Sequence, residues 1–166
     1  MLWTNRIFCG MIKDSVYLRD RQMRNLGGIK SMRKVVKFGG SSLASAEQFK
    51  KVGDIIRADK GRKYVVPSAP GKRFDGDIKV TDMLYACYAK AEKKEDITAS
   101  IAAIRERYME IINGLGLSLS LDDQFEVISE NFKKLAGSNY AASRGEYLTV
   151  SSWQITWDMN LSMQLK

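Results

Sequence analysis

The sequence contains no histidine, two cysteines and two prolines in 166 residues. Without histidine, neither a Ser-His-Asp nor a Cys-His catalytic arrangement can be built, and no metal site can use an imidazole ligand. Cys9 and Cys87 are too few for a disulfide framework, or for a cysteine zinc site on their own, which fits a reducing, cytoplasmic setting. No apolar run approaches the roughly 20 residues that a membrane-spanning helix needs. Chemistry is left to lysine, arginine, carboxylates, hydroxyls and backbone amides.

What is present suits one soluble globular domain. Hydrophobic residues make up 45% and charged residues 28%, enough for a core and too balanced for a coiled coil, a collagen-like chain or a disordered one. The formal charge of +8 raises nucleic-acid binding as a possibility. Its distribution weakens that reading: residues 1–31 hold six Lys/Arg against two acids, while residues 32–148 hold 20 against 16. All three tryptophans, Trp3, Trp153 and Trp157, lie outside 32–148. The chain divides into three unlike pieces.

The middle piece alternates strand and helix. Lys34 to Phe38 is β-rich and ends in Gly39-Gly40-Ser41-Ser42, a strand running into a glycine turn. Ser45 and Gln48 form a capping-box pattern ahead of Phe49, Val52 and Ile56 at helical spacing, to about Asp59. Lys63 to Val66 reads as a second strand, stopped by Pro67 and Pro70. After a polar loop at 71–77, Thr81 or Asp82 is expected to cap a helix with Leu84, Cys87, Tyr88 and Ala91 on its apolar face. Two more helices follow, one carrying Ile97, Ile101, Ile104, Tyr108 and Ile111. The other carries Leu121, Phe125, Ile128, Phe132 and Leu135, and stops at Gly137. The order β-α-β-α-α-α implies an α/β fold with parallel strands, and two strands are fewer than such a sheet normally needs.

Three constellations carry candidate chemistry. In K-F-G-G-S-S-L (37–43), glycines at a strand's C-terminal end let backbone amides approach an anion, and Lys37 supplies charge for a phosphoryl group. The Walker A spacing is absent, and a plain tight turn has the same pattern. In V-V-P-S-A-P (65–70), Ser68, with Thr81 beyond it, falls near the C-terminal edge of the sheet, where open α/β folds bind ligands. In S-R-G-E-Y-L (143–148), Arg144 and Glu146 offer a grip on a zwitterion, or simply a solvated helix face. Asp75 and Asp77 flank Gly76 without EF-hand spacing and read as loop.

Together, in this order and spacing, K-F-G-G-S-S-L, V-V-P-S-A-P-G-K, K-V-T-D-M-L-Y and S-R-G-E-Y-L resemble aspartokinase (aspartate kinase), in the form found in Firmicutes such as clostridia. The resemblance covers residues 32–148. It implies the three-layer α-β-α sandwich of the amino-acid kinase (carbamate kinase-like) fold, present as its N-terminal part. It also implies ATP and Mg2+ as cofactors, L-aspartate as acceptor, and homo-oligomeric full-length relatives. The reaction would phosphorylate the β-carboxylate of L-aspartate, opening lysine, threonine and methionine biosynthesis. By the same resemblance, Lys37, Gly39, Gly40 and Ser41 hold the ATP phosphates, with Lys37 the catalytic charge. Thr81 and Glu146 bind aspartate, and Ser68 lines the same pocket. No residue is assigned to a metal.

The family pattern is absent at both ends. Gly27-Gly28 can be encoded as a ribosome-binding sequence three codons before Met32, so residues 1–31 are expected to be a translated leader. After Leu148, shifting the frame by one base forces Ala at Trp153-Gln154, Gly at Trp157-Asp158, Glu at Met159-Asn160 and Ala at Met163-Gln164. Permitted codons elsewhere restore an aspartokinase-like continuation, so 149–166 is expected to be a frame-shifted tail. The expectation is a truncated, inactive aspartokinase fragment that binds neither nucleic acid nor membrane, with an exposed sheet edge. The alternatives are a basic nucleic-acid-binding module and a non-catalytic fragment that joins a longer aspartokinase.

Overall fold

The computed structural model describes residues 33–163, with side chains described through Trp153. The leader assigned to 1–31 lies outside the described residues, as do Cys9, Trp3 and the side chains of 154–166 in the assigned tail.

The chain runs β1 (Lys34–Phe38), a 3-10 turn (Gly40–Leu43), α1 (Ala46–Arg57), β2 (Arg62–Pro67), α2 (Val80–Glu92), α3 (Thr98–Gly114), α4 (Asp122–Lys133) and α5 (Ser138–Met163). β1 and β2 pair in parallel, with Val36 opposite Val65, Lys37 opposite Val66 and Phe38 opposite Pro67. This is the mixed α/β architecture with a parallel sheet that the alternating pattern implies. Because side chains alternate along a strand, Phe38 and Val65 turn toward α1. Val35, Tyr64 and Val66 are left 69%, 52% and 47% exposed on the other face, beside Lys37.

Two apolar clusters hold the elements together. The smaller joins sheet to helix: Leu43, Phe49, Val52, Ile56 and Ile111, with Phe38, Val65 and Trp153 against them. Trp153 lies near-parallel to the Phe38 ring (26°, centroids 6.3 Å) and tilts against Phe49 (5.3 Å). The larger fills the space among α2, α3, α4 and α5. There Phe132 is fully buried and meets the edges of Tyr88 and Tyr140 at 5.4 and 6.3 Å. Each such aromatic pair adds about 0.5–1.5 kcal/mol beyond the area it buries. The apolar faces expected from spacing in the first three helices are the faces that pack.

Helix ends explain where the sequence pattern and the structure part. Ser45 caps α1, its hydroxyl accepting from the Gln48 amide and donating to Glu47. Neither Thr81 nor Asp82 caps α2. That helix starts two residues earlier, with Lys79 at the cap position and no side-chain cap. The Pro70 carbonyl takes the Val80 amide at 3.1 Å, so a tertiary contact does the capping. Helices α2, α3 and α4 all end in a Schellman motif, with Lys94, Gly116 and Leu135 at the left-handed position (φ 58°, 70° and 56°). Leu135 was expected on the apolar face of the last helix of the series. It lies beyond α4, 51% exposed, because the chain has already reversed there.

Helix α5 continues through Leu148 to Met163. Its buried hydroxyls, Thr149 and Ser152, bond back to the carbonyls of Gly145 and Leu148 at 2.9 and 2.8 Å, so they enter the interior satisfied.

Candidate functional site

The site begins where the two strands end. Past Phe38 and Pro67 the chains stay locked: the Ser68 amide donates to the Phe38 carbonyl (3.0 Å) and the Gly71 amide to the Gly40 carbonyl (2.8 Å). The approach is so close that a Cβ on Gly71 would lie 2.5 Å from the Gly40 carbonyl carbon. One on Gly40 would lie 2.9 Å from the Ala69 carbonyl oxygen. Gly40 and Gly71 are therefore demanded by backbone packing. Gly39 is different. Its backbone (φ −77°, ψ 171°) suits any residue, and a Cβ there would meet no protein atom within 4 Å. The fold does not explain that glycine, whereas a ligand approaching the turn would. Lys37 and Ser41 are exposed on either side of it.

The second half of the site is carried by α2 and α5. Gly145 of α5 sits against the strand end, its Cβ position 2.6 Å from the Ala69 Cβ and 3.6 Å from Val80 Cγ1. Thr81 and Glu146 directly follow Val80 and Gly145. Ser68 directly precedes Ala69. Three sequence-assigned residues thus flank one three-way contact, with Ser68 and Thr81 half-buried and Glu146 exposed. Tyr108 fixes the register of α5, its hydroxyl donating to the Gly145 carbonyl at 2.6 Å from full burial, which pushes its pKa up. Arg144 does not join Glu146. Two residues apart on a helix they point about 200° away from one another. The Arg144 guanidinium instead stacks over Tyr140 and Tyr147 at 4.3 and 4.8 Å.

An ion network that the sequence reading passed over holds the 71–77 loop. Asp77, read there as ordinary loop, accepts from Arg73 Nε and Nη2 at 2.9 and 3.0 Å and from the Arg73 amide at 2.9 Å. These bonds hold its carboxyl well below the usual carboxylate range. Arg73 also pairs with Glu110 of α3 at 2.7 Å. Arg107 of α3 is 4% exposed. It donates from Nη2 to the Gly71 carbonyl at 2.8 Å and lies 3.4 Å from Asp77. The available signal was an arginine interrupting the stripe Ile104, Tyr108, Ile111, with acids in the preceding loop. Among the described residues, no group of three or more Asp, Glu, Cys or His is gathered to hold a metal ion.

A model of the amino acid kinase family matches residues 32–150. The chain belongs to that family. It is 46% identical over 100 residues to Aspartokinase 3 of Bacillus subtilis (strain 168), a match covering 57% of this chain and 22% of that protein. Among solved structures, the aspartate kinase of Clostridium acetobutylicum, described as an allosteric enzyme, superposes with a TM-score of 0.70 at 45% identity. That match covers 73% of this chain and 28% of the other. E. coli aspartokinase III, solved with aspartate and ADP, gives a TM-score of 0.53 at 24% identity over 75% of this chain and 28% of that one, a likeness of fold. The chain matches between about a fifth and three-tenths of the length of these relatives. Its α/β elements match the aspartate kinase fold over that part.

Proposed function

We propose that this member of the amino acid kinase family carries the phosphate turn and acceptor pocket of an aspartate kinase, the class of enzyme that transfers the γ-phosphoryl group of ATP to the β-carboxylate of L-aspartate. The observation that carries the reading is Gly39, a glycine the fold does not require, set between Lys37 and Ser41 at the strand end. The amides of the turn and the Lys37 ammonium neutralise phosphate oxygens, and Ser41 adds a hydroxyl. Thr81 and Ser68 donate to the acceptor, and the Glu146 carboxylate takes its ammonium. The acceptor carboxylate has a pKa of about 3.9 and is ionised at neutral pH, so no general base is needed. That accords with a sequence lacking histidine. Catalysis rests on alignment and charge neutralisation. Magnesium enters as part of the substrate MgATP.

The setting that goes with this reading is cytoplasmic amino-acid biosynthesis, with homo-oligomeric full-length relatives. Among the described residues no helix is long and apolar enough to cross a membrane. The domain reading is a leader at 1–31, kinase residues at 32–148 and a shifted tail at 149–166. The 166 residues alone are read as inactive; one face of the two-stranded sheet stands open beside Lys37.

The test is an NMR titration of the chain. Tripolyphosphate is expected to shift the amides of Gly39 to Ser41 in the wild type and not in Lys37→Ala. L-aspartate is expected to shift Thr81 and Glu146 in the wild type and not in Glu146→Gln. Absence of both responses in the wild type overturns the reading. Turnover in an ATP-plus-aspartate hydroxamate assay overturns the inactivity of the chain.

A further inference from the structure

Arg107 is buried in the apolar stripe of α3, yet it makes one hydrogen bond, to the Gly71 carbonyl, while its Nε and Nη1 have no hydrogen-bond partner. A guanidinium carries five N–H donors, and leaving buried ones unmade is costly. Replacing a whole buried ion pair by apolar side chains of similar volume is often neutral for stability, so the charge at this place is not explained by packing alone. What a Leu or Met cannot supply is the bond to Gly71.

That bond sits one peptide from the phosphate turn. The Gly71 carbonyl is held by Arg107 and the Gly71 amide holds the Gly40 carbonyl, both at 2.8 Å. Gly40 opens the 3-10 turn that contains Ser41. The adjacent Pro70 carbonyl is taken by Val80 at the start of α2. The charged groups facing Arg107 are Asp77 at 3.4 Å, Glu110 at 3.8 Å and Arg73, which is tied to both acids. Burial and Arg73 push the Arg107 pKa down, and the two carboxylates oppose them.

We infer that Arg107 is the positioning residue of the phosphate turn, fixing residue Gly71 from its carbonyl side so that Gly40 and Ser41 present their amides in one arrangement. The role in phosphoryl transfer rests on the function proposed above, while the mechanical role does not. Loss of Arg107 loosens the turn and leaves the helical cluster in place.

The test compares Arg107→Met, Arg107→Gln and Arg107→Lys in the full chain, by amide hydrogen exchange and by tripolyphosphate titration. Removing a hydrogen bond to a charged group is expected to speed exchange of the Gly71 amide at least about tenfold in the Met and Gln variants. The Ile128 and Phe132 amides of α4 should keep wild-type rates. The Lys variant, which retains a cationic donor, should recover part of the Gly71 protection, and tripolyphosphate affinity should follow the same order. Wild-type protection at Gly71 in the Met and Gln variants overturns the inference. So does uniform acceleration of every amide, which makes Arg107 a general stabiliser. If the Met variant fails to fold, the Gln and Lys pair decides. A wild-type chain that does not respond to tripolyphosphate overturns the phosphate reading alone, and the exchange comparison still judges Arg107.

Discussion

Of two glycines in the candidate site, one should tolerate an added methyl group and the other should not. In Gly71→Ala the new Cβ would stand 2.5 Å from the Gly40 carbonyl carbon and 2.8 Å from both the Gly40 oxygen and the Ser41 nitrogen. All three are backbone atoms, so no rotamer change relieves the clash and the strand ends must separate. Overpacking of this kind costs about 1–3 kcal/mol, and a backbone obstacle sets it near the upper end. At about 2–4 °C per kcal/mol for a chain of this size, the melting temperature should fall by about 6–12 °C. In Gly39→Ala the methyl meets nothing within 4 Å and φ is −77°. Reduced freedom in the unfolded chain stabilises by about 0.4–1 kcal/mol, and the preference for glycine over alanine at a helix cap takes back about as much. Stability should stay within about 1 kcal/mol of wild type while tripolyphosphate binding weakens. Calorimetry of both variants, with phosphate titration of Gly39→Ala, is the assay. A Gly39→Ala chain destabilised by several kcal/mol would refute the argument that the fold leaves this glycine unexplained. A Gly71→Ala chain as stable as wild type would refute the interlock itself.

Lys94 and Leu135 hold left-handed conformations that favour glycine, so Lys94→Gly and Leu135→Gly should each stabilise by a net of about 0.5–1 kcal/mol, measured by urea unfolding. Burial raises the Cys87 thiol to about 11, so in a Cys9→Ser background iodoacetamide at pH 8 should label Cys87 only after denaturant is added. The Asp77 carboxyl is depressed in the folded state, so its contribution is complete above the unfolded value of about 3.9 and is lost as the pH falls below it. Asp77→Asn should therefore lower stability at pH 7 and flatten the acid side of the stability profile. An unchanged acid limb would remove Asp77 from the network.

The parts of this molecule legible in its sequence are those fixed by neighbours a few residues away. Ser45 caps the helix it precedes, and the apolar faces of α1, α2 and α3 follow from spacing alone. The strand-turn unit around Gly39 and Gly40 was likewise visible. The start of α2 was not, because the Pro70 carbonyl, ten residues upstream, replaces a capping side chain. The end of α4 was misplaced because a leucine occupies the reversal that glycine usually marks. Arg107 was passed over for a related reason: its partners, Gly71 and Asp77, lie 36 and 30 residues away, and only the fold brings them to it. Gly145 gives no local sign that it faces Ala69, so only resemblance could group Ser68, Thr81 and Glu146, the residues next to that contact.

The contact between Gly145 and Ala69 also orders the assembly of the site in time. The β1–β2 pairing closes a chain loop of about 30 residues, whereas Ala69 and Gly145 are 76 positions apart. Longer loops close at greater entropic cost and later in folding. The strand pair can therefore form while Gly145 and Glu146 still wait on α5 docking. A chain refolding from denaturant should pair β1 with β2 first and dock Gly145 of α5 against Ala69 second.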